Sequence, residues 1–190
     1  MAKSTVTIMA FDPGLAACGW SLLQYDLTTG HITVLKCGTI TGKALLKIEK
    51  GLQQRFEKRH IILWKLESLL TEMFSDYEPD YIVTEDAFMH RFVAAYAALV
   101  LVVQTIRTAA MRILDKPLYV IAPRESKKAI STDGNADKMT VQDAILRSPH
   151  ITFRGPKFDE YTEHTYDSIA AGIAFINNHL PAILVQKTAA

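Results

Sequence analysis

Residues 5–12 (TVTIMAFD) form an apolar run that stops at one aspartate and meets Pro13 and Gly14 at once, which reads as a strand closed by a turn. Residues 19–26 read as a second strand and 31–40 as a third, with Thr28, Thr29 and Gly30 supplying turn residues between them. An antiparallel three-stranded meander is therefore expected. From about Ala44 the period changes: Ile48, Leu52, Phe56, Leu63, Leu66, Leu70 and Met73 recur three, four or seven apart. That stripe predicts one long helix ending near Pro79.

Residues 80–86 (DYIVTED) follow the proline with β-branched side chains and predict a buried fourth strand. Residues 91–114 then predict a helix that is apolar nearly all round. Its twelve consecutive apolar residues, 92–103, fall short of the roughly 18 a membrane span needs, so a buried helix is expected, with a second chain covering what the sheet does not. Residues 118–122 (LYVIA) predict a fifth strand, and Pro123 opens a helix carrying Lys127. Thr132, Asp133, Gly134 and Asn135 break that helix; further helices follow at about 137–147 and 160–178. The order βββαβαβααα has no repeat or linker. It predicts one α/β domain over residues 1–190, built on a five-stranded mixed sheet flanked by helices: the meander plus two parallel strands.

With 49% hydrophobic residues among 190, the chain can bury an ordinary core. The net charge of +1 does not by itself announce a nucleic-acid partner. Locally the picture differs. Lys43, Lys47, Lys50, Arg55, Lys58, Arg59 and Lys65 face only Glu49 and Glu57, and Arg124, Lys127, Lys128 and Lys138 form a later group. Taken alone, each group reads first as a solvated helix face and only second as an electrostatic footprint. Cys18 and Cys37 have neither zinc spacing nor a disulfide pattern, and the N-terminus carries no signal-peptide pattern. A reducing cytoplasm and no membrane are the expectation.

Candidate chemistry lies at the ends of elements. Asp12 closes the first predicted strand, Glu85 nearly closes the fourth, and Glu163, His164 and Asp167 share a face of the last helix with Ala171 and Ala174. Carboxylates converging from separate elements suit hard cations such as Mg²⁺, and two such ions can drive phosphodiester hydrolysis. Each residue also has a plainer reading. Asp12 can be an Asp-Pro-Gly turn former, Glu85 or its neighbour Asp86 can be solvated, and a helical histidine can be structural.

Four stretches, FDPGLAACGW, EPDYIVTEDAFM, PRESKKAISTDGNADKMTVQDAIL and EHTYDSIAAGIA, together resemble, in order, the RuvC family of Holliday junction resolvases within the RNase H-like fold. The resemblance implies a homodimeric endonuclease that resolves four-way DNA junctions by paired nicks, leaving 5′-phosphate and 3′-hydroxyl ends. It implies Asp12, Glu85, His164 and Asp167 as catalytic metal ligands for two Mg²⁺ ions, with Mn²⁺ tolerated because His164 stands where many members have Asp. By the same resemblance Phe88 stacks on an unpaired base, with Met89 and His90 in its loop, and Lys127 and Lys138 engage the DNA backbone. From local sequence alone Phe88 can equally be a core residue and Lys138 a solvated one.

The chain departs from the family at Thr132, often glycine, at Asp133, and in the helix around Val100, Gln104 and Arg107. Those departures keep open a relaxed nuclease for flaps and forks, and a dimer interface built differently. A non-cleaving junction binder is the rival outside enzymology. An actin-like phosphotransferase needs a second lobe that 190 residues do not supply.

Overall fold

The computed structural model describes residues 3–47, 51–88, 92–130, 132–155 and 161–189. Strands β1 (Thr5–Asp12), β2 (Ala17–Asp26) and β3 (Ile32–Thr41) form the expected antiparallel meander. Strands β4 (Tyr81–Glu85) and β5 (Leu118–Ile121) add in parallel beside β1. The sheet has six strands rather than the five expected, in the order β5-β4-β1-β2-β3-β6. The sixth, β6 (Ile151–Phe153), pairs in parallel with β3. Three residues of mixed polarity are too few to show a period of two.

Alternation along β1 sorts the core into two layers. Met9 and Phe11 face helices α2 (Lys58–Tyr77) and α3 (Val93–Leu114), meeting Leu66, Leu70, Phe74 and Ile106. Ile8 and Ala10 face the opposite side, where α6 (Glu163–Asn178) lies with Ile169, Ile173 and Phe175. Each such fully buried side chain contributes about 1.5–3 kcal/mol. Helices α4 (Pro123–Ala129) and α5 (Lys138–Arg147) cover the α6 layer, and α7 (Leu180–Ala189) follows α6 after a bend of 44°.

The predicted long helix is broken. A short α1 (Gly42–Lys47) and a 3-10 turn (Leu52–Gln54) precede α2, and extended Glu57 starts α2 afresh. Phe56 belonged to the periodic stripe, yet it is 57% exposed. Periodicity had merged two apolar clusters that face different ways. Left-handed Glu78 ends α2, its N–H bonding Phe74 O, and Pro79 prevents continuation.

Nor is α3 buried throughout. Val102, Val103, Ile106, Ala109 and Ala110 enter the core, whereas Phe92, Val93, Val100 and Leu101 are exposed. The helix is long and apolar enough to cross a bilayer, but its buried half is committed to the core shared with α2. The expected helix starts at residues 91 and 160, stripe residue Ile48, and Met89 and His90 lie outside the described residues.

Candidate active site

Strand parity aims the acids. Asp12 continues the Ile8 and Ala10 series and Glu85 continues Tyr81 and Val83, so both fall on the α6 side of the sheet. The parallel register pairs Phe11 with Thr84, which sets Asp12 and Glu85 side by side where both strands end. His164 and Asp167 come from the first turns of α6, where the positive end of the helix dipole favours carboxylates.

Asp12 is not spent on its turn. His164 Nδ1–H donates to Asp12 Oδ2 at 2.6 Å. Asp12, His164 and Asp167 each place a potential ligand atom within 4.8 Å of the others. Glu85 stands outside that tight group but is coupled to Asp12 and Asp167 by charge. Glu163 does not join it. Its Oε1 is ion-paired with Lys138 and lies 3.8 Å from His164 Nε2.

Two small residues allow this assembly. Gly19 pairs with Asp12 across the meander, and a Cβ there would sit 1.9 Å from the His164 carbonyl oxygen. At Gly172 a Cβ would sit 3.2 Å from Ala10 Cβ and 2.5 Å from Leu23 Cδ1, so α6 rests directly on the sheet. Neither glycine was singled out in the sequence, although the meander register would have set Gly19 opposite Asp12. Buried Ser126 was also missed; its hydroxyl leans on Glu85 and favours the charged form without forming an aligned hydrogen bond.

Crowding of carboxylates shows in their titration. Burial first, then the charges of Asp12 and Asp167, pushes Glu85 up to about 8. Burial and Asp12 raise Asp167 to about 6, and the hydrogen bond it donates to Asp12 raises His164. Nearby Cys18 is pushed up to about 12 by burial and by Asp12, which keeps it a neutral thiol. An oxygen-rich cluster that repels itself in this way fits a hard divalent cation, whose charge reverses the cost.

Because Glu85, Asp167 and His164 all hold protons more tightly folded than unfolded, stability of the metal-free protein falls as pH rises through that window. Between roughly pH 5 and pH 8 we expect Tm of the metal-free protein to fall by several degrees, most of it carried by Glu85. Thermal melts in chelator check this. Glu85→Gln should flatten the profile most, and Mg²⁺ should raise Tm more at the alkaline end. A flat wild-type profile would contradict the coupling.

The DNA candidates flank the cluster. Phe88 is 65% exposed in the loop after β4, so it is not a core residue. Lys127 Nζ donates to Ala136 O at 2.6 Å while its charge favours ionised Glu85 and Asp167. Lys138, at the start of α5, is tied to Glu163 beside His164. Asp133 accepts a hydrogen bond from the Asn135 N–H within its own loop.

The family model for crossover junction endodeoxyribonuclease RuvC matches residues 8–173. The chain belongs to the RuvC family. Among RuvC relatives it is similar to crossover junction endodeoxyribonuclease RuvC of Parvibaculum lavamentivorans, 26% identical over 172 residues covering 89% of this chain and 85% of that one. It is also similar to the RuvC of Synechococcus sp., 26% identical over 177 residues, covering 87% and 95%. The solved Thermus thermophilus RuvC structure superposes with a TM-score of 0.67 at 15% identity, covering 90% of this chain and 93% of that one. The same protein in complex with Holliday junction substrate gives 0.64 at 14%, covering 90% and 92%. These superpositions establish the RNase H-like RuvC fold, and RuvC-family nucleases depend on divalent metal.

Proposed function

We propose that this chain is a divalent-metal-dependent endonuclease that resolves four-way DNA junctions by paired symmetrical nicks, leaving 5′-phosphate and 3′-hydroxyl ends. The observation that carries the reading is the convergence of Asp12, His164 and Asp167 beside buried Glu85 in a chain of the RuvC family. These four residues hold the cations, two Mg²⁺ per site, with Mn²⁺ accepted through the His164 imidazole. Bound divalent ions supply an activated water and stabilise the leaving oxygen of the phosphodiester. Asp12 orients His164 through their hydrogen bond, and half-buried Glu85 stands at the end of β4 beside Ser126 of α4. Lys127 and Lys138 position the backbone phosphates, which fixes register without reading sequence. Phe88, exposed at the cluster's edge, stacks on a base at the crossover.

The exposed apolar start of α3 gives the second copy its contact, and residues 1–190 act as one nuclease domain in a homodimer. Two equivalent sites on a two-fold axis suit two equivalent strands. Sedimentation as a monomer at micromolar concentration, with junction present, would overturn the dimer. Free thiols at Cys18 and Cys37 suit the reducing cytoplasm, where the DNA is.

The test is cleavage of a four-way junction, a flap, a fork and plain duplex in Mg²⁺ and in Mn²⁺. Symmetrical nicks confined to the junction, at least as fast in Mn²⁺, are expected. Cutting across all branched substrates would instead support the relaxed reading, which Asp133 favours by placing negative charge in the loop expected to face DNA. Binding without cleavage in either metal would rule out both.

A further inference from the structure

A second surface at the same end of the sheet is unexplained by the acidic cluster. Between the 3-10 turn and the first half of α2 lies a groove of about 340 Å³, lined by Leu52, Phe56, His60, Ile61 and Trp64. Phe56 and Trp64 are 57% and 51% exposed, and His60 and Trp64 are one helical turn apart. We propose that this groove takes an unpaired base of the substrate DNA, stacked on Phe56 and Trp64. The inference rests on the junction-nuclease reading above and adds a base-binding subsite to it.

Charge decides between possible occupants. Arg55, Lys58, Arg59 and Lys65 flank the groove residues along the chain, Arg59 with Glu57 Oε2 3.6 Å from its Nη2, and Lys43 and Lys47 line the neighbouring cleft. Six cations against one acid among the described residues 43–65 make this one of two basic groups in a chain whose net charge is only +1. Lys65 Nζ lies 4.5 Å from the centre of the Trp64 ring, joining the basic rim to the aromatic floor. Aromatic faces inside a cationic rim match a strand that offers bases and phosphates together. A purely apolar partner would leave those cations without a role.

The groove also neighbours the loop that follows Asp12. Leu52 lines the groove, while the adjoining Gln53 lines a cleft of about 560 Å³ with Lys43, Lys47 and Ala16. Ala16 belongs to the loop that follows Asp12, and its carbonyl accepts from Gly42 N–H at 2.9 Å.

The test compares wild type, Phe56→Ala/Trp64→Ala and Trp64→Phe in chelator, so that nothing is cut. Fluorescence anisotropy reads binding of a short single-stranded oligothymidylate, a four-way junction and plain duplex. The double variant should bind oligothymidylate and junction about tenfold more weakly with duplex little changed, whereas Trp64→Phe keeps most of the affinity. Both residues are exposed, and unchanged melting and sedimentation should confirm an intact fold. Wild-type affinity in the double variant overturns the proposal. So does weakened binding accompanied by a change in oligomeric state, which would assign the groove to a protein contact. A wild type that fails to cut the junction, yet binds oligothymidylate through Phe56 and Trp64, sinks the nuclease reading and leaves the groove standing.

Discussion

Asp12→Asn should lose metal-dependent junction cleavage by about a thousandfold while still binding the junction. The side chain is nearly isosteric, so the pairing of β1 with β2 and β4 should survive. What disappears is the charge at the centre of the cluster. Asp12 accepts the bond from His164, lies within ligand distance of Asp167, and raises both Glu85 and Asp167 through its charge. With Asn there, the hydrogen bond weakens and the site would lose the carboxylate that stands within ligand distance of both His164 and Asp167. Single-turnover cleavage with saturating enzyme separates this loss from any change in affinity. A rate within tenfold of wild type would mean that the catalytic centre lies elsewhere.

Gly19→Ala should be nearly as damaging without touching a reacting group. The new Cβ would sit 1.9 Å from the His164 carbonyl oxygen, 2.3 Å from its carbonyl carbon and 3.0 Å from its Cβ. Those neighbours are mostly helix backbone, so the start of α6 must retreat by about 1 Å to restore contact distances. Misplacement of that size costs about a hundredfold in rate, and the overpacked contact about 1–3 kcal/mol in stability. Because His164 and Asp167 ride on α6, both move away from Asp12 together. We expect kcat to fall with junction affinity kept and Tm lowered. Full activity in Gly19→Ala would show that α6 can shift without opening the site.

How much of this was visible beforehand follows from the physics of each element. Residues 5–12 and 81–85 are apolar runs buried on both faces, and strand parity puts Asp12 and Glu85 on one face once the strands are parallel neighbours. The choice between Glu85 and Asp86 was therefore decided by parity, which requires knowing where the strand begins. His164 and Asp167 were recognisable as a pair on a helix face. Their distance from Asp12 was not, because it depends on Gly19 and Gly172 letting α6 rest on the sheet. The break before α2 stayed hidden because the apolar period ran on through Phe56, whose side chain faces solvent. Likewise, the composition of α3 could not show which of its faces the sheet would leave uncovered.

Asp12 and His164 are 152 residues apart in sequence, one from the first strand and the other from the penultimate helix. A chain growing from the ribosome therefore carries Asp12 and Glu85 long before α6 exists to complete their cluster. Cleavage is therefore expected only once α6 has emerged and packed on the sheet, and a chain truncated before residue 163 should cut no junction in a nicking assay.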